Sequence, residues 1–247
     1  MTAGIVAGVV LAFLVGSLLQ RVSGQGMGLV AAPTLTVLIG PVAGVAMTNV
    51  AAAVTATLVW VAMREHVDRG RLVAIVPLIV VGSVVGAFFV GGVPTAWLDV
   101  VIGGTVLVAM AVSVQLQRFR PAGGAPVAMA AGAAAGFMNT TAGVAAPAMT
   151  AYALATRWEQ RSFAATLQPV WVTANLSSVG AKWGTGALGD GGAPWWLWPL
   201  GLAGVLAGVL AGAALAHRVS SALARRLAIS VAVVGALVAL GRGLLAL

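Results

Sequence analysis

The chain has 247 residues, of which 61% are hydrophobic and 7% are charged, whereas about 25% of the residues in a soluble domain are charged. The net charge of +8 would fit nucleic-acid binding by a soluble protein, but here the cations sit in short connectors between apolar runs, where orientation in a membrane accounts for them. We therefore predict an all-α polytopic membrane protein that binds no nucleic acid. The absence of cysteine excludes disulfides and thiolate metal sites.

Ten apolar segments follow in chain order, and most are close to the roughly 20 residues that a spanning helix needs. They lack the alternation of strands, so they predict helices. The first is predicted to be a retained helix, because no basic region precedes it. The sixth is too short to cross a bilayer alone, so we expect segments one and two, and likewise six and seven, to pair as hairpins inside the membrane. The segments cover residues 3–22, 27–40, 42–63, 72–92, 98–116, 126–136, 141–156, 162–181, 195–216 and 226–246.

The positive charges of the connectors predict how the chain is oriented. One side of the membrane would carry eleven arginines, and the other only Lys182 and Arg242. Because cytoplasmic connectors are enriched in Lys and Arg, the arginine-rich side is predicted to be cytoplasmic and both termini to lie outside. The eleven are Arg21, Arg64, Arg69, Arg71, Arg118, Arg120, Arg157, Arg161, Arg218, Arg225 and Arg226.

Two stretches of the first half recur in the second half in the same order, which predicts two repeats, residues 1–120 and 121–247. Five segments in each, an odd number, would insert the second repeat upside down, as in many secondary transporters. The glycines of the second stretch are spaced for close helix packing. The first match sets residues 23–33 against 137–147, and the second sets Pro77, Gly82 and Gly86 against Pro199, Gly204 and Gly208, with Gly212 one turn further on.

The turns of the two predicted hairpins, near residues 22–33 and 137–147, are the main candidates for a binding site. Each places small or polar residues directly before an apolar helix, and a helix N-terminus offers unpaired N–H groups and partial positive charge, which suit an anion. Ser23, Asn139 and Thr140 are expected to cap these helices. The alternative is a pair of ordinary glycine-rich corners at the membrane surface. The predicted anion-binding residues are Ser23, Gly24, Gln25, Gly26, Gly28, Asn139, Thr140, Thr141 and Gly143.

Polar residues inside other segments form a second group of candidates. Amide side chains in hydrocarbon need partners and often mark a cavity, although hydrogen bonds between helices would satisfy them equally. Arg21 is interpreted either as a cytoplasmic anchor or as an electrostatic attraction for the anion, and Trp171, in mid-segment, is expected to serve packing. The second group consists of Thr48, Asn49, Gln168, Asn175 and Arg21.

Residues for catalysis are missing from the sequence pattern. No histidine and carboxylate have metal-ligand spacing, and no phosphate-binding loop of the Walker type occurs. We therefore predict that the chain is not an enzyme and binds no metal or cofactor. The acids and histidines lie in connectors or at segment ends: Glu65, His66, Asp68, Asp99, Glu159, Asp190 and His217.

Both turn regions resemble the repeats of a known family. Gly24-Gln25-Gly26-Met27-Gly28 with Ala31-Ala32-Pro33, followed by Ala46-Met47-Thr48-Asn49, resembles the first repeat of the TauE/SafE family, and residues 135–143 with Pro147 resemble its second repeat. The resemblance implies a bacterial plasma-membrane permease, usually described as exporting sulfite or organosulfonates, with some members assigned to other sulfur compounds or carboxylates. Gln25, Met27, Ala142, Ala145 and Ala146 stand where the family often has glycine, which bears on the substrate.

Two functions are carried forward from the sequence. The first is a secondary carrier that moves a small anion by alternating access, with its site between the two repeats. The second is a membrane scaffold or partner subunit that transports nothing and uses the glycine turns for packing. The lipid bilayer is a partner in both, and a homodimer is compatible with both.

Overall fold

The computed structural model describes residues 1–115, 123–188, 193–216 and 218–247. Arg118, Arg120, Asp190 and His217 lie outside the described residues, as does the side chain of Arg225. The described part of the chain folds into ten α-helices with no strand. They are α1 (Ala3–Ser23), α2 (Met27–Ile39), α3 (Pro41–Met63), α4 (Arg69–Gly92), α5 (Thr95–Gln115), α6 (Ala125–Ala142), α7 (Ala146–Ala155), α8 (Gln160–Gly184), α9 (Leu197–Leu215) and α10 (Ser221–Leu245).

The ten helices confirm the ten predicted segments, although α7 begins at Ala146 rather than at 141 and α10 begins at Ser221 rather than at 226. The largest difference is at the end of α6. This helix continues to Ala142 rather than ending near residue 136. The polar residues that follow position 136 remain helical because they bond within or between helices: the Thr141 hydroxyl donates to the Phe137 carbonyl at 2.9 Å, and Asn139 bonds to α8. The break between α6 and α7 therefore spans only residues 143–145.

The surface and the interior have the polarity expected in a lipid environment. Large apolar side chains point outward; Val73 is 72% exposed and Leu210 is 71% exposed. Asparagine and glutamine side chains in the middle and at the ends of several helices are instead buried, namely Gln20, Asn49, Asn139, Gln168 and Asn175. Five helices, α1, α3, α4, α9 and α10, are long and apolar enough to cross a bilayer. The chain is therefore a multi-pass α-helical membrane protein, as its composition predicts.

Glycines allow α4 and α6 to pack with their backbones nearly in contact. A methyl group at Gly82 would collide with the Ala133 carbonyl of α6, and one at Gly136 would collide with the Ile79 carbonyl of α4. Close approach of this kind is how small residues drive helix association in a membrane. The predicted packing role of the Gly82/Gly86 pair is thereby confirmed.

The same arrangement joins α9 to α1, where methyl groups at Gly204 and Gly208 would collide with the carbonyls of Val10 and Leu14. Helix α5 packs along α10, and α3 along α8. If the two halves correspond helix by helix, α1 is equivalent to α6 and α4 is equivalent to α9. The packing of α4 on α6 is then equivalent to the packing of α9 on α1, as observed. The pairings support the inverted repeat, which stays a prediction.

Candidate functional site

The first turn, residues 24–26, joins α1 to α2 inside the helical bundle. Helix α1 ends at Gly24, whose φ of 80° is left-handed, a conformation that glycine adopts without strain. Gly26 has no room for a side chain, because a Cβ there would lie 2.6 Å from the Gln20 nitrogen. The Ser23 hydroxyl lies 2.6 Å from the Gln25 carbonyl oxygen, within the turn itself.

The second turn, residues 143–145, joins α6 to α7 in a related way. Helix α6 ends at Gly143, with a φ of 69°, and the Gly143 N–H donates to the Asn139 carbonyl at 2.9 Å. The two turns meet directly, since a methyl group at Gly28 would collide with the Gly143 carbonyl oxygen. The structure therefore brings both turns to one point in the interior.

A cavity lies where the two turns meet. Its volume is about 30 Å³, which is room for two or three water molecules or for a small ion. Five of the predicted anion-binding residues line it: Gln25, Gly26, Gly28, Asn139 and Gly143.

Two helix N-termini open onto this cavity. Gly28 and Leu29 belong to the first turn of α2, and Ala145 and Ala146 form the start of α7. The first N–H groups of a helix have no partner within the helix, and here neither N-cap residue, Gly26 nor Ala145, supplies a side-chain cap. The N–H of Met27 is an exception because the Gln20 side chain accepts it at 3.3 Å. The cavity thus faces uncapped backbone donors from both repeats.

Amide side chains supply the other polar atoms of the cavity wall. Asn139 donates from Nδ2 to the Asn175 Oδ1 at 3.0 Å, and Asn175 donates in turn to the Trp171 carbonyl at 2.7 Å. Gln25 donates to the Thr150 hydroxyl at 3.1 Å. The second N–H of the Asn139 amide is left for a ligand, since Nδ2 carries two donors. All the described residues that line the cavity are uncharged.

Four of the predicted anion-binding residues do not line the cavity. The predicted caps are wrong: Ser23 lies in the last turn of α1, and Asn139 and Thr140 in the last turns of α6, so none begins a helix. The reason is that each helix runs on to a left-handed glycine, Gly24 or Gly143, and that glycine takes the place of the expected cap. Thr140 packs at Gly86, Thr141 bonds to its own helix, and Gly24 presents its carbonyl to α8.

Of the second group of candidates, one residue lines the cavity and the other four do not. Asn175 lines the cavity. Gln168 lies behind the first turn, where its Nε2 is 3.3 Å from the Gly24 carbonyl oxygen. Asn49 donates to the Ser178 hydroxyl, Thr48 bonds to the Gly44 carbonyl, and Arg21 packs its aliphatic stem at Gly212 of α9.

Sequence reasoning missed several residues of the cavity wall. Gln20 was detectable, because it is an amide in an apolar run only a few residues ahead of the turn. Trp171 was assigned to packing, yet it lines the cavity and its Nε1 donates to the Gly24 carbonyl at 3.2 Å. Leu29, Ala52 and Val144 complete the wall and carry no sequence signal, since apolar residues fill every helix of the chain.

A family model described as "Sulfite exporter TauE/SafE" matches residues 8–239, which is nearly the whole chain and includes both turns and the cavity between them. No curated protein and no solved structure matches the chain.

Proposed function

The chain belongs to the TauE/SafE family, and from this premise we propose that it is a secondary transporter that exports a small anion across the bacterial plasma membrane. Sulfite, a sulfonate or another organosulfur anion is the proposed substrate, because the family description names sulfite export. Gln25, Gly26, Gly28, Asn139 and Gly143 would bind it, together with Asn175.

One observation carries this proposal: two uncapped helix N-termini, α2 and α7, open onto a single buried cavity with amide side chains in its wall. Unpaired N–H groups and the positive end of the helix dipole favour an anion. An oxyanion with three oxygen atoms can accept hydrogen bonds from both helices and from Asn139 at once. A cation would meet the same donors unfavourably.

The proposed mechanism is alternating access, with one repeat rocking against the other around the cavity. Each wall of the cavity comes from a different repeat, residues 25–29 from the first and 139–146 from the second. A rigid movement between the repeats would therefore open the cavity to one side or the other. The connectors rich in arginine are proposed to lie in the cytoplasm and both termini outside.

Binding is tested first with the purified protein and a panel of anions. A ligand that binds only the folded protein raises its stability in proportion to the logarithm of concentration over Kd, once concentration exceeds Kd. Sulfite, thiosulfate, sulfate, taurine, sulfoacetate and acetate form the panel, with chloride as the ionic-strength control. Selective stabilisation by a sulfur anion is the expected result. A response to acetate alone would favour a carboxylate permease, and a flat response would favour the scaffold.

Two variants then test the site in a flux assay with reconstituted protein. Asn139→Ala removes a donor to the anion, and Gly26→Leu fills the first turn, so both are expected to reduce flux at least tenfold. Thr141→Val is the matched control for Asn139→Ala, because Thr141 is on the same helix but bonds to Phe137. Gly180→Leu is the control for Gly26→Leu, since nothing lies within 4 Å of a Cβ there. Wild-type flux in both test variants would remove the site from this cavity.

A further inference from the structure

Lys182 is buried inside the protein, although the cavity for the anion has an uncharged wall. The side chain is 1% exposed, and it is the buried one among the cations whose side chains the structure describes. It was predicted to lie in an outer connector, but it belongs to the last turn of α8. Its ammonium group forms no ion pair or hydrogen bond with any described residue, and the Lys182 carbonyl accepts from the Thr185 hydroxyl at 3.4 Å.

An unpaired ammonium in this position is costly, because burial removes its hydration and nothing described here replaces it. Charged side chains inside a membrane protein are rare, and they mark ion or substrate pathways. An anion that passes next to Lys182 would supply the missing counter-charge.

Helix α8 connects Lys182 to the cavity along one buried face. The residues of this face are three or four positions apart, which places them on the same side of a helix. Asn175, in the cavity wall, precedes Lys182 by seven residues, a rise of about 10 Å along the axis. The buried face consists of Gln168, Trp171, Asn175, Ser178 and Lys182.

Ser178, between the cavity and Lys182, has a hydroxyl hydrogen to offer. It accepts a hydrogen bond from Asn49 of α3 and donates none to any described residue. Ala52, one turn from Asn49 on α3, lines the cavity. Helices α3 and α8 therefore extend together from the cavity toward Lys182, and Ser178 and Lys182 present two successive donors along that line.

We propose that Lys182 and Ser178 form a second anion position, through which the substrate leaves the central cavity toward the outer face. This inference rests on the proposed function and adds the charged residue that the central cavity lacks. The central cavity selects the anion by directed N–H groups, and Lys182 lowers the free energy of the anion on its way out.

The test compares Lys182→Met with Lys182→Arg in proteoliposomes, using radiolabelled sulfite. Lys182→Met keeps the length of the side chain but removes its charge, and is expected to reduce sulfite flux at least tenfold and to weaken sulfite-dependent thermal stabilisation. Lys182→Arg keeps the charge and should retain more flux than Lys182→Met. Arg64→Met, which removes one charge from an exposed site, is the matched control and should behave as wild type.

The melting temperature of Lys182→Met, measured without any anion, distinguishes an anion-binding role of Lys182 from a structural role. Removing an unpaired buried charge should leave the melting temperature of the anion-free protein equal to or above that of wild type. A melting temperature well below wild type would assign Lys182 to the structure and overturn the proposal. Ser178→Ala, which alters only the second donor, is expected to reduce flux less than Lys182→Met does.

The outcomes distinguish this inference from the proposed function. If Lys182→Met and Ser178→Ala keep wild-type flux while Asn139→Ala loses it, the second anion position is wrong and the central site stands. If wild-type protein responds to no anion of the panel, both are wrong. Loss of flux in Lys182→Met with an unchanged melting temperature and wild-type behaviour in Arg64→Met supports the second position.

Discussion

The two turns at the centre of the molecule have the same outline but are held in different ways. Both follow a helix that ends at a left-handed glycine, and both precede a helix whose N-terminus opens onto the cavity. The first turn is fixed by side chains of the second repeat: the Gly24 carbonyl accepts from Gln168 and Trp171. The second turn is fixed by contact, with the Gly143 carbonyl against Gly28.

This difference shows how one cavity can be built from two unequal turns. The first turn contains one polar side chain, Gln25, and an inward-facing carbonyl, that of Gly24, and both need partners, so this turn depends on hydrogen bonds from α7 and α8. The second turn contains small apolar residues, so it depends on the absence of side chains on the facing backbone. A carrier that rocks its repeats must preserve or exchange both kinds of contact, because each of them joins residues of one repeat to residues of the other.

The backbone contact between the turns should be more sensitive to substitution than the hydrogen bonds that hold the first turn. Gly28→Val would drive a branched side chain into the Gly143 carbonyl, and overpacking of this kind costs about 1–3 kcal/mol or more. We expect loss of flux together with a lower melting temperature in detergent. Gly104→Val is the control, because a Cβ at Gly104 meets nothing within 4 Å. It should change the flux and the melting temperature much less than Gly28→Val does. Wild-type flux in Gly28→Val would show that the turns separate during transport.

The hydrogen-bonded support of the first turn should contribute less. Gln25 and Thr150 bond across the repeats, with Nε2 to Oγ1 at 3.1 Å. A double-mutant cycle with Gln25→Leu and Thr150→Val is expected to give a coupling of about 0.6 kcal/mol, the average for such bonds in a membrane protein, and at most about 1.7 kcal/mol. The unfolding free energy of the four proteins, measured under one condition, supplies the cycle. A coupling near zero would mean that the two side chains act independently.

The sequence was sufficient for the helices, but it left two alternatives for the turns, a shared site and separate corners at the membrane surface. Hydrophobic runs are the dominant signal in a membrane protein, so all ten helices could be placed within a few residues at most ends. The recurrence of the glycine-rich stretch in both halves favoured the first alternative, in which the two turns contribute to one site. What it could not give was the end of α6, because Asn139 and Thr141 read as turn residues until their partners, Asn175 and the Phe137 carbonyl, are known.

The candidate site was predictable only in part, for a physical reason. Backbone N–H groups carry most of the proposed binding, and every residue but proline has one, so the sequence marks such a site only through its glycines. Lys182 was placed in a connector because it follows an apolar run, although the helix continues to Gly184. Burial of a charge depends on which neighbouring helix covers it, and that is decided by packing between segments far apart in sequence.

The smallest expected effect concerns the start of α8, the helix whose side chains Gln168 and Trp171 bond to the Gly24 carbonyl of the first turn. Glu159 caps α8 by accepting from Arg161 and Ser162 at 2.8 and 2.7 Å. These N–H groups, Ser162 first and Arg161 second, hold the pKa of the Glu159 carboxyl below its ordinary value of 4.5. A carboxyl with a lowered pKa stabilises the fold above its unfolded pKa, and the contribution is lost as pH falls through the folded value.

Glu159→Gln is therefore expected to lower the melting temperature slightly at pH 7, because a neutral amide caps a helix less well than a carboxylate. The difference from wild type should shrink when both are measured at decreasing pH below about 4.5, since the wild-type carboxylate then becomes neutral as well. Glu65→Gln, at an exposed acid in the short 3₁₀ turn after α3, serves as the control for lost surface charge. A difference that stays constant as the pH falls would show that the cap depends on the shape of the side chain and not on its charge. In that case the support that α8 gives to the first turn would be independent of pH, as the contact at the second turn is.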